Sequence, residues 1–175
     1  MDRDFIIAKN LALKLLNRYD KTCKEMKKYL LDKCVDTDVS DRVIKYLCEY
    51  NFLDDKRYAR NYIRKNMCKY GEKKIFFDLV LKGVDKNFLN EELLKISDCE
   101  KIEAGIKLCK KKYDSIRGKF EGFKIRHKLF CHLITKGYDY DMANQIIEEV
   151  IWWNSKFKIF VGYSKKGNIE CLERC

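Results

Sequence analysis

Apolar residues return along this 175-residue chain at the three- and four-residue spacing of amphipathic helices. Ala8, Ala12, Leu15 and Leu16 mark a first stripe, Met26 and Leu30 a second, and Val39, Val43 and Leu47 a third. A second trio follows: Ala59, Tyr62, Ile63 and Met67, then Ile75, Phe76, Leu79 and Val80, then Leu89, Leu93 and Ile96. Ile102, Ile106 and Cys109, then Ile125, Leu129 and Leu133, then Met142, Ile146 and Val150 complete a third trio. Helices grouped in threes are the prediction. The stretch "YDSIRGKFEG" (113–122), with two glycines, predicts a loop between the first two helices of the third trio. The period changes only in the tail. Lys156, Phe157, Lys158 and Ile159 alternate, which fits a hairpin turning at Ser164–Gly167 or an end without fixed structure.

Three stretches align without gaps: "YLLDKCVDTDV" (29–39), "DLVLKGVDKNF" (78–88) and "HLITKGYDYDM" (132–142). Leu30, Leu79 and Leu133 coincide, as do Lys33, Lys82 and Lys136, and Asp36, Asp85 and Asp139. The unit is a degenerate repeat of about fifty residues. Each shared position has a physical reason. The lysine falls in the last turn of the middle helix, where the macrodipole favours a cation. Gly83 and Gly137 suit the left-handed residue that closes a helix. Cys34 holds the same place in the first copy, so that helix must end differently or carry strain. The aspartates fit the N-cap of the following helix, and Thr22 with Glu25 forms a candidate capping box.

"YNFLDDKRYARNYI" (50–63) places Asp54 and Asp55 between two units. Paired carboxylates also suit acid catalysis or a metal, but no histidine or third acid lies near them in sequence. The pair is predicted to cap: one aspartate bonds the helix end and its neighbour favours the positive end of the dipole.

Composition supports a helical body. Proline is absent, where average usage gives roughly nine in this length, and there are 8 glycines. The 46% hydrophobic fraction can build a core, and 38 Lys+Arg against 27 Asp+Glu leaves a net charge of +11. Such an excess favours polyanions or acidic partners. The 9 cysteines (23, 34, 48, 68, 99, 109, 131, 171 and 175) are scattered and odd in number, with no C-x-x-C. With no secretory leader in "MDRDFIIAKN" and no uncharged run long enough to span a bilayer, they predict a reduced, cytoplasmic protein with no membrane partner.

"NFLDDKRYARNYI" resembles the signature of the RecX regulatory proteins, an aromatic–Leu–Asp–Asp–x–Arg–aromatic–Ala core followed by an aromatic and an aliphatic residue. "ALKLLNRYDKTCKEMKKYLLDKC" resembles the family's opening helix pair, and "LVLKGVDKNFL" and "LITKGYDYDM" its later units. The resemblance covers roughly residues 5–150, and order and spacing carry it together. It implies a non-enzymatic modulator that binds the RecA recombinase, lying in the groove of its filament on DNA. The family mainly inhibits RecA, lowering its ATPase, strand exchange and coprotease action and so restraining recombination and the SOS response. The chain departs from the family at Cys34, where glycine is usual, and from Trp152 onward, where nothing matches. The expected fold is all-α: an elongated, curved array of three tandem three-helix repeats, at 4–53, 54–98 and 99–151, with a tail at 152–175.

A helical array offers an extended surface rather than a pocket. The candidate contacts with the filament or DNA are Arg57, Arg60, Arg64 and Lys65, then Lys73 and Lys74, then Lys110 and Lys111, and finally Lys124, Arg126 and Lys128. Arg57, Arg60 and Arg64 share a helix face by spacing. The plainer reading of each cluster is a solvated face with pairs such as Glu103–Lys107. Tyr58 and Tyr62 could stack on bases, but their spacing favours packing between helices. His127, Cys131 and His132 lack zinc-finger spacing, and no phosphate loop or nucleophile elbow appears. No cofactor, metal or catalytic residue is expected. The alternative to a monomeric RecA-binding regulator is a basic helical module that binds DNA by itself; for the regulator, direct DNA binding is expected to be weak and non-specific.

Overall fold

The computed structural model describes the backbone of residues 3–164 and the side chains of residues 3–152. Every regular element among them is a helix: α1 (Arg3–Leu16), α2 (Cys23–Asp32), α3 (Thr37–Glu49), α4 (Asp55–Asn66), α5 (Glu72–Leu81), α6 (Lys86–Leu94), α7 (Asp98–Ile116), α8 (Phe123–Lys136) and α9 (Tyr140–Ser164). They form two compact units that divide between Ser97 and Asp98. The first holds two three-helix groups and the second holds one.

The predicted stripes build the cores. Ala8, Ala12, Met26, Leu30, Val43 and Leu47 are fully buried where α1, α2 and α3 meet. Ala59, Ile75, Leu79 and Leu89 fill the centre of α4–α6. Cys109, Leu129, Leu133, Ile146 and Val150 fill that of α7–α9. Gly105 lets α7 approach closely, since a Cβ there would stand 2.3 Å from Ile146 Cδ1.

Two expectations need correction. α7 continues through Ile116, so residues 113–116 of the expected loop are helical and the link to α8 begins at Arg117. Ile116 is buried in the third core, and that burial supports the extra turn. The hairpin is also absent at residues 156–159, because α9 runs on to Ser164. Lengthening a helix adds one hydrogen bond per residue fixed, so four alternating residues do not outweigh a helix already begun. Residues 165–167 of the proposed turn lie outside the described residues, as do Cys171 and Cys175.

All three middle helices end alike. Val35, Val84 and Tyr138 donate their N–H groups to the carbonyls of Leu30, Leu79 and Leu133, each at 3.1 Å. Cys34, Gly83 and Gly137 donate to Leu31, Val80 and Ile134 at 2.9–3.0 Å. This paired pattern requires a left-handed residue, and φ is 60° at Cys34, 89° at Gly83 and 93° at Gly137. Cys34 therefore accepts the strain of a glycine position. The aspartate caps follow: Asp36 accepts from Asp38 N (3.0 Å), Asp85 from Phe88 N (2.9 Å) and Asp139 from Met142 N (2.8 Å).

Within the first unit, the start of α2 is bound to the second helix group. Thr22 and Glu25 form the capping box, with Glu25 N–H on Thr22 Oγ1 at 3.2 Å and Thr22 N–H on Glu25 Oε2 at 3.3 Å. Thr22 Oγ1 also donates to the Lys82 carbonyl (2.6 Å), and Lys24 Nζ donates to that of Leu81 (3.1 Å). Lys82 Nζ pairs with Glu25 Oε1. The positive end of α2 thus meets the negative end of α5, a favourable alignment of dipoles. Gly83 makes the approach possible, since a Cβ there would stand 2.7 Å from Lys24 Cβ.

Asp54 caps its own helix, accepting from Arg57 N at 2.9 Å. Asp55 reaches the other group and accepts from Cys23 N at 2.8 Å. Both aspartates cap helices, but two different ones.

Burial opposes the charge on Glu25, yet the bonds from Lys82 and Thr22 and the charges of Lys82 and Lys21 outweigh it, holding the carboxyl below its ordinary 4.5. Burial likewise opposes the Lys82 charge, but Glu25 and Tyr58 outweigh it and raise the ammonium above its ordinary 10.5. A lowered carboxyl stabilises above its unfolded value, and a raised ammonium stabilises below its own. The pair's contribution is therefore full between 4.5 and 10.5 and fades outside that window. Lys82→Met should show a stability deficit that is level across this window and shrinks as pH falls below it. A deficit unchanged by acid would contradict the pairing. Cys34→Gly should raise the urea midpoint, with a gain of about 0.5–1 kcal/mol. Gly83→Ala should lower it, with a loss of about 2 kcal/mol. Opposite signs would refute the left-handed closure.

Candidate binding surface

The predicted basic residues differ in what they touch. On α4, Arg60 is engaged: its Nε stands 3.2 Å from Glu92 Oε2 and its guanidinium lies 5.4 Å from the centre of the Phe88 ring, both on α6. Lys95 shares Glu92, and the two cations hold that carboxyl below its ordinary range. Arg57 and Arg64 are exposed. Arg57 Nη2 donates to the Asn51 carbonyl (3.2 Å), and Arg64 Nη2 meets Asn61 Oδ1 at 3.4 Å. Spacing suggested one arginine face, but Arg60 mainly ties α4 to α6.

Lys65 is exposed near the end of α4 and Lys73 near the start of α5, while Lys74 lies half-buried with Nζ 5.2 Å from the centre of the Tyr70 ring. Tyr58 and Tyr62 stack 6.2 Å apart. Tyr62 donates to Asp78 Oδ2 at 3.1 Å, and burial together with that carboxylate pushes its phenol up to about 12. These tyrosines pack between helices, as their spacing predicted. Phe77 and Leu81, one turn apart on α5, are 62% and 73% exposed.

In the second unit, α7, α8 and their link enclose an open groove of about 800 Å³. Lys112, Lys119 and Lys128 line it with His127, His132 and Phe120, and none of its lining residues is acidic. Lys128 Nζ sits 4.3 Å from the centre of the Phe120 ring. Asp114, nearby in sequence, is paired with Arg117 at 3.3 Å. Burial, then the charges of Lys112 and Lys136, lower the His132 pKa, which favours a neutral imidazole. Phe123, 80% exposed at the start of α8, stacks on His127.

Of the predicted residues here, only Lys128 lines the groove. Lys110, Lys111 and Lys124 are exposed elsewhere on these helices, and Arg126 pairs with Glu148 of α9 at 3.1 Å. Lys119 and His132 were not among the predicted contacts. Their signal was available in part: Lys128, His132 and Thr135 recur at helical spacing, turned from the buried Leu129 and Leu133. Glu103 and Lys107 pair at 2.7 Å as expected. Cys131 Sγ meets His127 Nε2 at 3.6 Å, and no group of three metal-ligating side chains occurs among the described residues. Among those residues, no helix is long and apolar enough to cross a membrane.

Residues 8–47 match the family model of the first three-helix domain of RecX, and residues 98–147 match that of its third. A regulatory protein RecX of Clostridium perfringens is 36% identical over 148 residues, which span 84% of this chain and 70% of that protein. The chain belongs to the RecX family. A RecX of Clostridium botulinum is 36% identical over 152 residues, spanning 86% of this chain and 72% of the relative. A crystal structure of RecX from Lactobacillus salivarius superposes with a TM-score of 0.74 at 28% identity, covering 85% of this chain and 97% of that one. The all-α repeat fold is thus that of a RecX protein, and its named relatives are regulatory proteins.

Proposed function

We propose that this chain regulates a RecA recombinase by binding its filament on DNA, mainly lowering its ATPase, strand-exchange and coprotease activities and so restraining recombination and the SOS response. Membership of the RecX family, whose named members are regulatory proteins, carries this reading. In it the repeats at 4–53, 54–98 and 99–151 form a binding surface, and a cytoplasmic monomer acts without cofactor or catalysis. Two surface features support it. Cations on α4, α5, α7 and α8 suit phosphates and acidic side chains. Exposed Phe77 and Leu81 suit an apolar protein contact more than bare DNA.

A stand-alone DNA-binding module is the second reading, favoured by the groove with its lysines and no carboxylate. Binding through phosphates would fall steeply with salt. Tight binding of bare DNA at near-physiological salt, indifferent to RecA, would support it over the first reading.

Added at low molar ratio to RecA filaments on single-stranded DNA, the protein should slow ATP hydrolysis. Arg57→Glu combined with Arg64→Glu should weaken this effect about tenfold or more while the circular dichroism stays helical; Arg60 is kept because it holds α6. An unchanged hydrolysis rate with no co-sedimentation would refute the regulatory reading. Full potency in the double variant would return that face to solvent.

A further inference from the structure

Cys23 opens α2 and Cys48 lies in the last turn of α3, yet their sulfurs stand 3.4 Å apart. Both are free thiols, Cys23 half-buried and Cys48 exposed. A disulfide needs about 2.05 Å, so the sulfurs must close by roughly 1.4 Å. The other described cysteines have different settings. Cys109 is buried in the third core, and Cys34, Cys68, Cys99 and Cys131 are exposed without a sulfur neighbour among the described residues. The place also matters. The N–H of Cys23 is the one held by Asp55, and the carbonyl of Cys48 accepts from Asn51 N (3.1 Å) at the left-handed turn leading towards α4. The two sulfurs therefore meet where the first helix group joins the second.

We propose that Cys23 and Cys48 are a reversible thiol–disulfide modification site that reacts with a low-molecular-weight disulfide and clamps the start of α2 to the end of α3. Exposed Cys48 attacks first. Its thiolate displaces one thiolate from the small disulfide, R–S–S–R, and becomes a mixed disulfide. Cys23 then gives up its proton and attacks the Cys48 sulfur, expelling the second R–S⁻. Two cysteine thiols are oxidised and one R–S–S–R is reduced to two R–SH, with the cysteine protons passing to the released thiolates. Burial, the Cys48 contact and the Asp55 carboxylate all push the Cys23 thiol up, which disfavours it as the first attacker, and its second step is carried by the 3.4 Å proximity of the two sulfurs. The closed loop restricts the unfolded chain and fixes the helix end whose N–H holds Asp55.

The test treats the full chain with oxidised glutathione, alkylates the remaining thiols and maps the tryptic peptides. The Cys23 peptide should be joined to the Cys48 peptide, dithiothreitol should part them, and melting of the oxidised form should rise by about 5 °C. Exposed single cysteines should carry glutathione or the alkyl group. In Cys23→Ser, Cys48 should retain its glutathione adduct, because nothing is left to displace it. A persistent Cys48 adduct beside free Cys23 in the parent protein would overturn the proposal. So would Cys23 cross-links scattered among Cys34, Cys68 and the rest. The mapping needs no variant, so it decides the matter even if Cys23→Ser folds poorly.

Discussion

The N-terminal end of α2 presents backbone N–H groups and a partial positive charge that no helix can satisfy internally. The first unit answers that need with groups from its second repeat. Asp55 takes the Cys23 N–H, and the Thr22 hydroxyl both accepts from Glu25 and donates to the end of α5. Thr22 is fully buried, so losing either bond would leave a polar group without water. Each such bond contributes about 1 kcal/mol. Their effect is positional: they fix which face of the first helix group meets the second. Gly83 belongs to the same constraint, through both its backbone angle and its clearance from Lys24.

The charge distribution follows from how cations are divided between internal and external tasks. Lys82 and Arg60 join helices, and Arg126 ties α8 to α9. Lys112, Lys119 and Lys128 instead gather in one groove without a carboxylate. Like charges in that arrangement repel, and a bound polyanion would relieve the repulsion. A net charge of +11 therefore understates the local contrast.

Much of the fold was legible because its rules are local. Asp36, Asp85 and Asp139 cap as their spacing implied, the capping box of Thr22 and Glu25 forms, and the apolar stripes fill three cores. At Cys34 the repeat alignment leaves two outcomes, a different helix end or strain, and only its φ of 60° shows that the strain is accepted. The missed features depend on distant partners. Asp55 serves a helix that begins 32 residues earlier, and Arg60 finds Glu92 32 residues later. Helical spacing places a side chain on a face but does not say what another helix brings to it. The same gap separated Lys128, which lines the groove, from Arg126 two positions before it. In the tail, a short alternating pattern lost to the continuation of α9.

Native-state amide hydrogen exchange, comparing Asp54→Ala with Asp55→Ala, tests the junction most directly. Asp55→Ala should speed exchange at the Cys23 amide and at the end of α5 near Gly83, while Asp54→Ala should affect chiefly the first turn of α4. If both variants loosened only α4 and left Cys23 protected, the two aspartates would serve one helix, and the account of how the first unit is joined would be wrong.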